Sequence, residues 1–466
     1  MPIRYKNNGK YAYKTRNVWN KEKKKYQTKW TYLGVVTPTG EYKKIHENKV
    51  KQEKLILNYG DTYLLNQYCE KSQLKTLIQN VFGNLTNNIL ALTFYKLLEQ
   101  SAMQHAQTWI DGNYAKILYP DANLSTQKIS NTLKSLGNER LNREFFRQYL
   151  QKTYSKSGVI IDSTGLPNNI SFPLSALGYH DGKIEKETRL LMVVDKENAN
   201  PLYFRYMAGN IVDVSTLKNT VRELELMGVT TELSLIDAGY CSEENIRLLY
   251  ENKISFLTRL PAGRRLFDEL IEKTVFSLQT PVNVVFYGDR ALYVEKVSVV
   301  LYGVFEGFAY VCCDIARRAD ETVRCLRSSR EEGLSEVEVL ERLGRCGLFV
   351  LLSSVDVATC EVLPLYYLRQ SAEEIFKISK SYVDILPLRV HSEETFRGVL
   401  FLNFLSVVIY MNLQNQLPAG VSVECALKEL RNLMCKVFDN NTILSLEPNK
   451  KQKIILNSID NTVGKF

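Results

Sequence analysis

The sequence predicts an α/β protein, and three observations carry that expectation. From Gly158 onward, short β-branched runs alternate with stretches of helical periodicity. Residues 56–154 repeat their apolar side chains at three- and four-residue steps, as Leu74, Leu77, Ile78, Val81 and Phe82 do, and read as helices. Residues 1–54 are basic, aromatic and alternating, the pattern of a small antiparallel sheet. At 466 residues the chain has length for about three domains. Its 45% apolar and 24% charged residues exclude collagen-like and largely disordered chains.

The N-terminal segment holds the net charge. Residues 1–54 contain 15 Lys and Arg against 4 Glu, a net of +11, whereas the remainder nets −2. Trp19, Trp30 and six tyrosines are interleaved with these cations. Such a mixture suits a phosphate backbone, with Lys23, Lys24 and Lys25 as candidate contacts, although a solvated basic arm has the same composition. Alternation in Lys10-Tyr-Ala-Tyr-Lys14 and Lys29-Trp-Thr-Tyr-Leu33 favours short strands. In the helical block, Ser125 is placed to cap a polar helix through Leu133. A helix of that kind either lies in a DNA major groove or is an ordinary surface helix, the commoner case.

Val159-Ile-Ile161 reads as a buried strand, followed by strands at Arg189–Val194 and Leu202–Met207. A helix at Val214–Met227, a strand at Leu233–Ile236, a helix at Glu243–Glu251 and a strand at Ile254–Leu260 complete the run. Ribonuclease H-like domains share this order, with three antiparallel strands followed by parallel ones. Residues 262–360 interrupt it with further strands and a charged helical stretch at 317–345. Helices are expected at Leu365–Tyr382, 393–413 and 421–437. The greasy run Gly398–Leu413 is broken by Asn403, Ser406 and Asn412 and is short of the ~20 residues of a membrane span, so a buried helix is expected.

Nine cysteines without any Cys-x-x-Cys argue for a reducing cytosol and against structural zinc. The polar, basic start Met-Pro-Ile-Arg-Tyr-Lys lacks the apolar core of a signal peptide, so a cytoplasmic protein is expected. Neither G-x-x-x-x-G-K-[ST] nor G-x-G-x-x-G occurs, so no nucleotide cofactor is implied.

Two acids, Asp162 and Asp237, follow predicted strands. Either alone commonly satisfies a turn backbone. In the order above, the first and fourth strands are neighbours, which sets the two carboxylates side by side, an arrangement that calls for cations between them. Hard oxygens without nearby His or Cys favour Mg²⁺ or Mn²⁺. A third acid comes from the segment Tyr366 to Lys380. At about 100° per residue, Tyr366, Arg369, Glu373 and Lys380 share a stripe about 60° wide, while Glu374 falls off it. A solvated face with Arg369–Glu373 pairing explains two of the four. Cys241, near Asp237, has no obvious histidine partner among His46, His105, His180 and His391 and is set aside as a nucleophile.

The layout resembles the DDE transposases of bacterial insertion sequences, in the branch carrying a Tyr-Arg-Glu-Lys motif. Asp162-Ser-Thr-Gly165, Gly209-Asn210-x-x-Asp213, Asp237-Ala-Gly-Tyr240-x-Ser242-x-x-Asn245, Phe376-Lys377 and Leu388-Arg-Val-His391 to Arg397-Gly398 accompany that motif over roughly 158–413. The resemblance implies a ribonuclease H-like catalytic core at 155–261 and 361–415 with a β-rich insertion at 262–360. Outside it, charge and periodicity give a basic β region at 1–55, a helical domain at 56–154 expected to bind DNA ends, and a helical C-terminal region at 416–466. Asp162, Asp237 and Glu373 would hold two divalent ions, Mg²⁺ or Mn²⁺, about 4 Å apart. Tyr366, Arg369 and Lys380 would contact DNA phosphate, and Arg389 and His391 would contact DNA or serve core or cap roles. Partners would be double-stranded DNA, both element ends and target, and a second copy of the chain on that DNA, with no membrane. A metal nuclease on the same fold and an inactive DNA-binding derivative are the alternatives. The sequence departs from the pattern at Ala238, where many relatives carry Arg, and has no tryptophan in the insertion. Any base stacking there would fall to Phe286, Tyr287 or Tyr293.

Overall fold

The computed structural model describes residues 2–20, 23–37, 42–43, 53–168, 170, 174–180, 183–210, 216–229, 233–386, 390, 392–439 and 441–462. It divides into two compact units, Met1–Ile56 with Cys435–Ser445, and Leu57–Met434 with Leu446–Phe466.

In the smaller unit, β1 (Ile3–Lys6), β2 (Tyr11–Asn20), β3 (Lys25–Val36) and β4 (Tyr42–Lys43) form an antiparallel sheet in that order. The β2–β3 hairpin runs well beyond its two alternating segments, out to the Asn20↔Lys25 rung. Cross-strand rings explain the length. Trp19 and Tyr26 meet at 5.0 Å and Tyr13 and Trp30 at 5.9 Å, and the Lys6 ammonium lies 4.2 Å above Trp30. Such pairs contribute roughly 0.2–1 kcal/mol each. Ala12 and Thr15 are buried, while Trp19, Tyr26 and Trp30 stay exposed beside the lysines.

After β5 (Glu53–Asn58) come seven helices: α1 (Gly60–Lys71), α2 (Leu74–Phe82), α3 (Thr86–Leu98), α4 (Ala106–Asp111), α5 (Ala115–Leu118), α6 (Thr126–Leu136) and α7 (Glu139–Thr153). The Asn138 side chain caps α7 by accepting from the Leu141 N–H at 3.2 Å. Helix α7 buries Phe145, Phe146, Tyr149 and Leu150 and leaves Arg140, Arg143 and Arg147 exposed.

The centre of the larger unit is one ten-stranded mixed sheet. Strands β6 (Val159–Pro167), β7 (Ala176–His180), β8 (Lys183–Asp195) and β9 (Pro201–Ala208) pair antiparallel, with β8 between β6 on one side and β7 and β9 on the other. After α8 (Leu217–Leu226), β10 (Leu233–Ile236) lies parallel to β6; after α9 (Glu243–Glu251), β11 (Ser255–Leu260) lies parallel to β10. Val159, Ile160 and Ile161 are fully buried, as an apolar run flanked by strands on both sides must be.

Residues 262–360 extend this same sheet. Helix α10 (Arg265–Thr274) precedes β12 (Val284–Tyr287), β13 (Arg290–Leu301) and β14 (Phe305–Asp314); α11 (Ile315–Glu332) and α12 (Glu336–Gly344) then lead to β15 (Leu348–Ser353), which pairs with both β14 and β11.

The expected single helix at Leu365–Tyr382 is in fact three pieces. Helix α13 (Thr359–Tyr367) contains Pro364, the chain bends at Leu368-Arg369, α14 (Gln370–Lys377) follows, and Ile378–Tyr382 is a π-helical turn. Pro364 removes the N–H that would bond the Cys360 carbonyl and weakens that first turn, yet the helix still begins at Thr359. Helix α15 (Glu393–Gln416) is long and apolar enough to cross a membrane, yet 78% of its most apolar stretch is buried within the protein. Gly398 brings α15 onto α6, where any Cβ would collide with the Leu133 carbonyl.

The C-terminal region departs from the helical expectation. Helix α16 (Val423–Arg431) is followed by β16 (Met434–Phe438) and β17 (Ile443–Ser445) before α17 (Lys450–Thr462). Strand β16 lies between β17 and β5, so Cys435 and Val437 alternate inward while Lys436 points out to Glu53 at 2.5 Å. Period two, satisfied by pairing with a strand nearly 400 residues away in sequence, overrode helical continuation.

Candidate active site

The β6–β10 register positions the first two acids. Its last rung is Ile161↔Ile236, so Asp162 and Asp237 are the next residue on each strand. Asp162 does not end its strand as expected: β6 runs on to Pro167 because β8 pairs with it throughout. Asp162 is buried and accepts the Ser163 N–H at 2.8 Å. Asp237 starts the short helical turn Ala238–Tyr240, and its backbone carbonyl accepts from the Thr258 hydroxyl at 3.3 Å. The motif downstream stiffens this turn. Tyr240 is fully buried, the Asn245 amide donates to the Tyr240 carbonyl at 2.9 Å, and Ser242 caps α9.

Arg369, at the bend before α14, reaches all three acids. Its guanidinium lies 2.7 Å from Asp162 Oδ2, 3.3 Å from Asp237 Oδ1 and 2.7 Å from Glu373 Oε1. Lys380 Nζ donates to Thr164 Oγ1 at 2.8 Å, two residues along β6 from Asp162 and on the same face of the strand. Tyr366 is buried, with its ring 5.9 Å from the Arg369 guanidinium carbon. The four residues of the expected stripe therefore do gather beside β6. They do so from a broken helix, because the π turn changes the phase between Glu373 and Lys380.

Electrostatics here are dominated by burial. Desolvation, with Asp237 and Glu373 adding repulsion, pushes the Asp162 carboxyl up to about 7 against the opposing pull of Arg369. Burial also works against the Arg369 charge, but Asp162, Asp237 and Glu373 hold its pKa above the usual guanidinium value. Among the described residues, no three His, Cys, Asp or Glu side chains form a ready metal cage. The three carboxylates converge on one organic cation instead.

Other sequence candidates fall as follows. Lys23 and Lys24 form the exposed β2–β3 turn and Lys25 begins β3. Arg389, His391 and Asp213 lie outside the described residues. Phe286 is exposed, and Tyr287 stacks on Tyr367 with centroids 4.8 Å apart. Cys241 is buried, which pushes its thiol up to about 11 and keeps it protonated at neutral pH. Arg397 is a brace, donating to the Gly137 carbonyl at 2.7 Å and Tyr206 Oη at 3.3 Å. The sequence reading missed Arg259 and Arg317, which line a small cavity of about 120 Å³ with Tyr366, Arg369 and Glu373. The signal for Arg259 was a cation within the apolar run Phe256-Leu-Thr-Arg-Leu260.

The family described as Transposase DDE domain matches residues 153–409. Among curated proteins, none matches the chain. Among solved structures, the cryo-EM structure of a piggyBac transposase synaptic complex with hairpin DNA aligns at 13% sequence identity and a TM-score of 0.39, covering 80% of this chain and 70% of that one.

Proposed function

This chain belongs to the transposase DDE domain family and is an enzyme acting as a DNA transposase, and we propose that it cuts the ends of a mobile element and joins them to target DNA through Asp162, Asp237 and Glu373. The observation that carries this reading is the convergence of three acids, from β6, the end of β10 and α14, on the single Arg369 guanidinium. We further place it in the bacterial insertion-sequence branch with the Tyr366, Arg369, Glu373, Lys380 motif, on a ribonuclease H-like core, acting in the cytoplasm at the nucleoid as a dimer on double-stranded DNA.

The donor set fits divalent cations, since three hard-oxygen carboxylates surround one cation and, among the described residues, no imidazole or thiolate joins them. Asp162, Asp237 and Glu373 would hold two such ions, Mg²⁺ or Mn²⁺, which when bound supply activation of water and then of the freed 3′-hydroxyl, and stabilisation of the leaving oxygen. Arg369, displaced from the carboxylates, would turn its fork to the scissile phosphate, with Lys380 as a second cation and Tyr366 packing the guanidinium in place. DNA bearing the element's own ends, incubated with Mg²⁺ or Mn²⁺, tests the reading. Ends joined to target support it. Cutting without joining would make the protein a metal nuclease, and neither metal binding nor nicking would make it a DNA-binding derivative.

Asp162 also gives metal binding a pH dependence. A carboxyl with its pKa at about 7 is protonated below that pH, so a metal must displace its proton there. Apparent Mn²⁺ affinity is expected to fall about tenfold per pH unit below pH 7 and to level off above it. Calorimetric titration across that range checks this, and a flat profile down to pH 5 would contradict it.

The exposed aromatic and cationic face of the β2–β3 hairpin is proposed to hold DNA ends. Since β5 is a strand of the sheet with β16 and β17, deletion through residue 54 would disrupt more than the basic arm. Lys23→Gln, Lys24→Gln and Lys25→Gln together test it with the fold kept. At about 0.9 per phosphate contact, the slope of log affinity against log salt is expected to become shallower by about 2.7. An unchanged slope in fluorescence anisotropy would make this hairpin a merely solvated face.

A further inference from the structure

Along the edge strand β9, helices α7 and α8 wall an open cleft of about 1150 Å³. Five arginines line it: Arg140, Arg143 and Arg147 from α7, Arg205 from β9 and Arg222 from α8. Its three glutamates are engaged. Glu144 holds Arg147 through hydrogen bonds of 3.1 and 2.7 Å, Glu223 lies 3.4 Å from Arg205 and accepts the Tyr203 hydroxyl at 2.5 Å, and Glu139 lies 3.2 Å from Arg397. Arg140, Arg143 and Arg222 are exposed and, among the described residues, make no hydrogen bond or ion pair. Guanidiniums gathered without carboxylate partners repel one another, and a polyanion relieves that repulsion.

The spacing narrows the anion. Arg140, Arg143 and Arg147 recur at steps of three and four on one face of α7 and span about 10.5 Å at 1.5 Å per residue. A row of that length presents three guanidiniums along one line, which suits neighbouring phosphates of an extended backbone better than a lone anion. Arg222 faces this row from the opposite wall.

The α8 wall and Arg205 lie across the sheet from the carboxylates, while α7 closes the β9 edge, its Phe146 touching both Tyr203 and Phe204. The rung Asp162, Met192, Phe204 puts Phe204 on the face where it meets Phe404 of α15. Arg205, the next residue of β9, alternates to the other face, where its guanidinium donates to Thr220 of α8 at 3.3 Å. Two strand spacings, about 10 Å, also separate β9 from β6.

We propose that the α7–β9–α8 cleft binds the sugar–phosphate backbone of double-stranded DNA, independently of sequence, and holds a segment other than the one at the same subunit's carboxylates. This rests on the DNA transposase reading. The test is the full chain carrying Arg140→Gln, Arg143→Gln and Arg222→Gln, with Arg222→Gln alone as a second variant should the triple fail to fold. Anisotropy is read on fluorescent duplexes of two unrelated sequences between about 50 and 200 mM salt. Relative to wild type, the triple should flatten the slope of log affinity against log salt by about 2.7 and the single by about 0.9, equally on both duplexes. Arg140→Lys with Arg143→Lys and Arg222→Lys should keep most of the wild-type slope, since it keeps the charge. Unchanged slopes in the glutamine variants, or a loss confined to one sequence, would overturn the cleft while leaving the transposase reading intact. A wild-type chain that binds neither duplex would overturn the DNA reading itself, and the cleft with it.

Discussion

Alanine at Asp162, Asp237 or Glu373 is expected to reduce DNA cutting and joining by at least about 10³-fold, the scale of losing one preorganised charge from a low-dielectric site. DNA affinity should stay close to wild type, because the exposed cations proposed to carry it belong to the β2–β3 hairpin and to α7 and α8, none of which supplies one of these acids. The three positions differ in their secondary effects. Asp162 is buried on a central strand, so Asp162→Asn is the companion variant that keeps its volume; Glu373 is exposed on α14 and its loss should leave stability almost unchanged. Gel-resolved cleavage and strand-transfer products, read beside anisotropy on the same preparations, separate chemistry from binding. Full activity in Asp162→Ala would remove the basis of the catalytic assignment.

Arg369→Met is expected to destabilise the metal-free protein by about 3 kcal/mol, because it strands the buried Asp162 carboxyl beside two other acids without a cation. The sign should reverse on metal binding. With the guanidinium gone, a divalent ion no longer competes for the carboxylates, so Mn²⁺ should bind the variant more tightly than it binds wild type and raise its unfolding temperature by more. DNA joining should nevertheless fall, since the fork proposed to meet the scissile phosphate is missing. Thermal unfolding in EDTA and in Mn²⁺, for both proteins, measures each half. Equal unfolding temperatures in EDTA would show that Arg369 does not neutralise the cluster, and an unchanged Mn²⁺ response would show that it does not occupy the cation position.

The two aspartates were legible in the sequence because β-branched runs announce buried strands, and a polar residue just after Val-Ile-Ile or Leu-Ser-Leu-Ile stands out against them. Their adjacency followed from strand order, and the Ile161↔Ile236 rung places them as neighbours. Glu373 could be chosen over Glu374 by helical phase alone, although the helix that justified the choice is broken at Leu368-Arg369 and turns π at Ile378. In the structure Arg369 meets Glu373 four residues on, across that bend, and Lys380 reaches Thr164 from within the π turn. Arg259 was hidden inside a strand pattern.

By itself, then, the sequence determined the local periods: the order of strands and helices from Gly158, the basic alternating hairpin, the buried Gly398–Leu413 helix and the acids that punctuate them. These depend on neighbours a few residues apart, which is where periodicity carries information. Only the tertiary structure decided what distant segments do to one another. It made β16 a strand by pairing it beside β5, merged residues 284–353 into the central sheet through β15 and β11, and brought one guanidinium among three carboxylates. Pairing partners and buried charge clusters are set by packing between segments hundreds of residues apart, and no local pattern encodes which cation will fill the space between two acids.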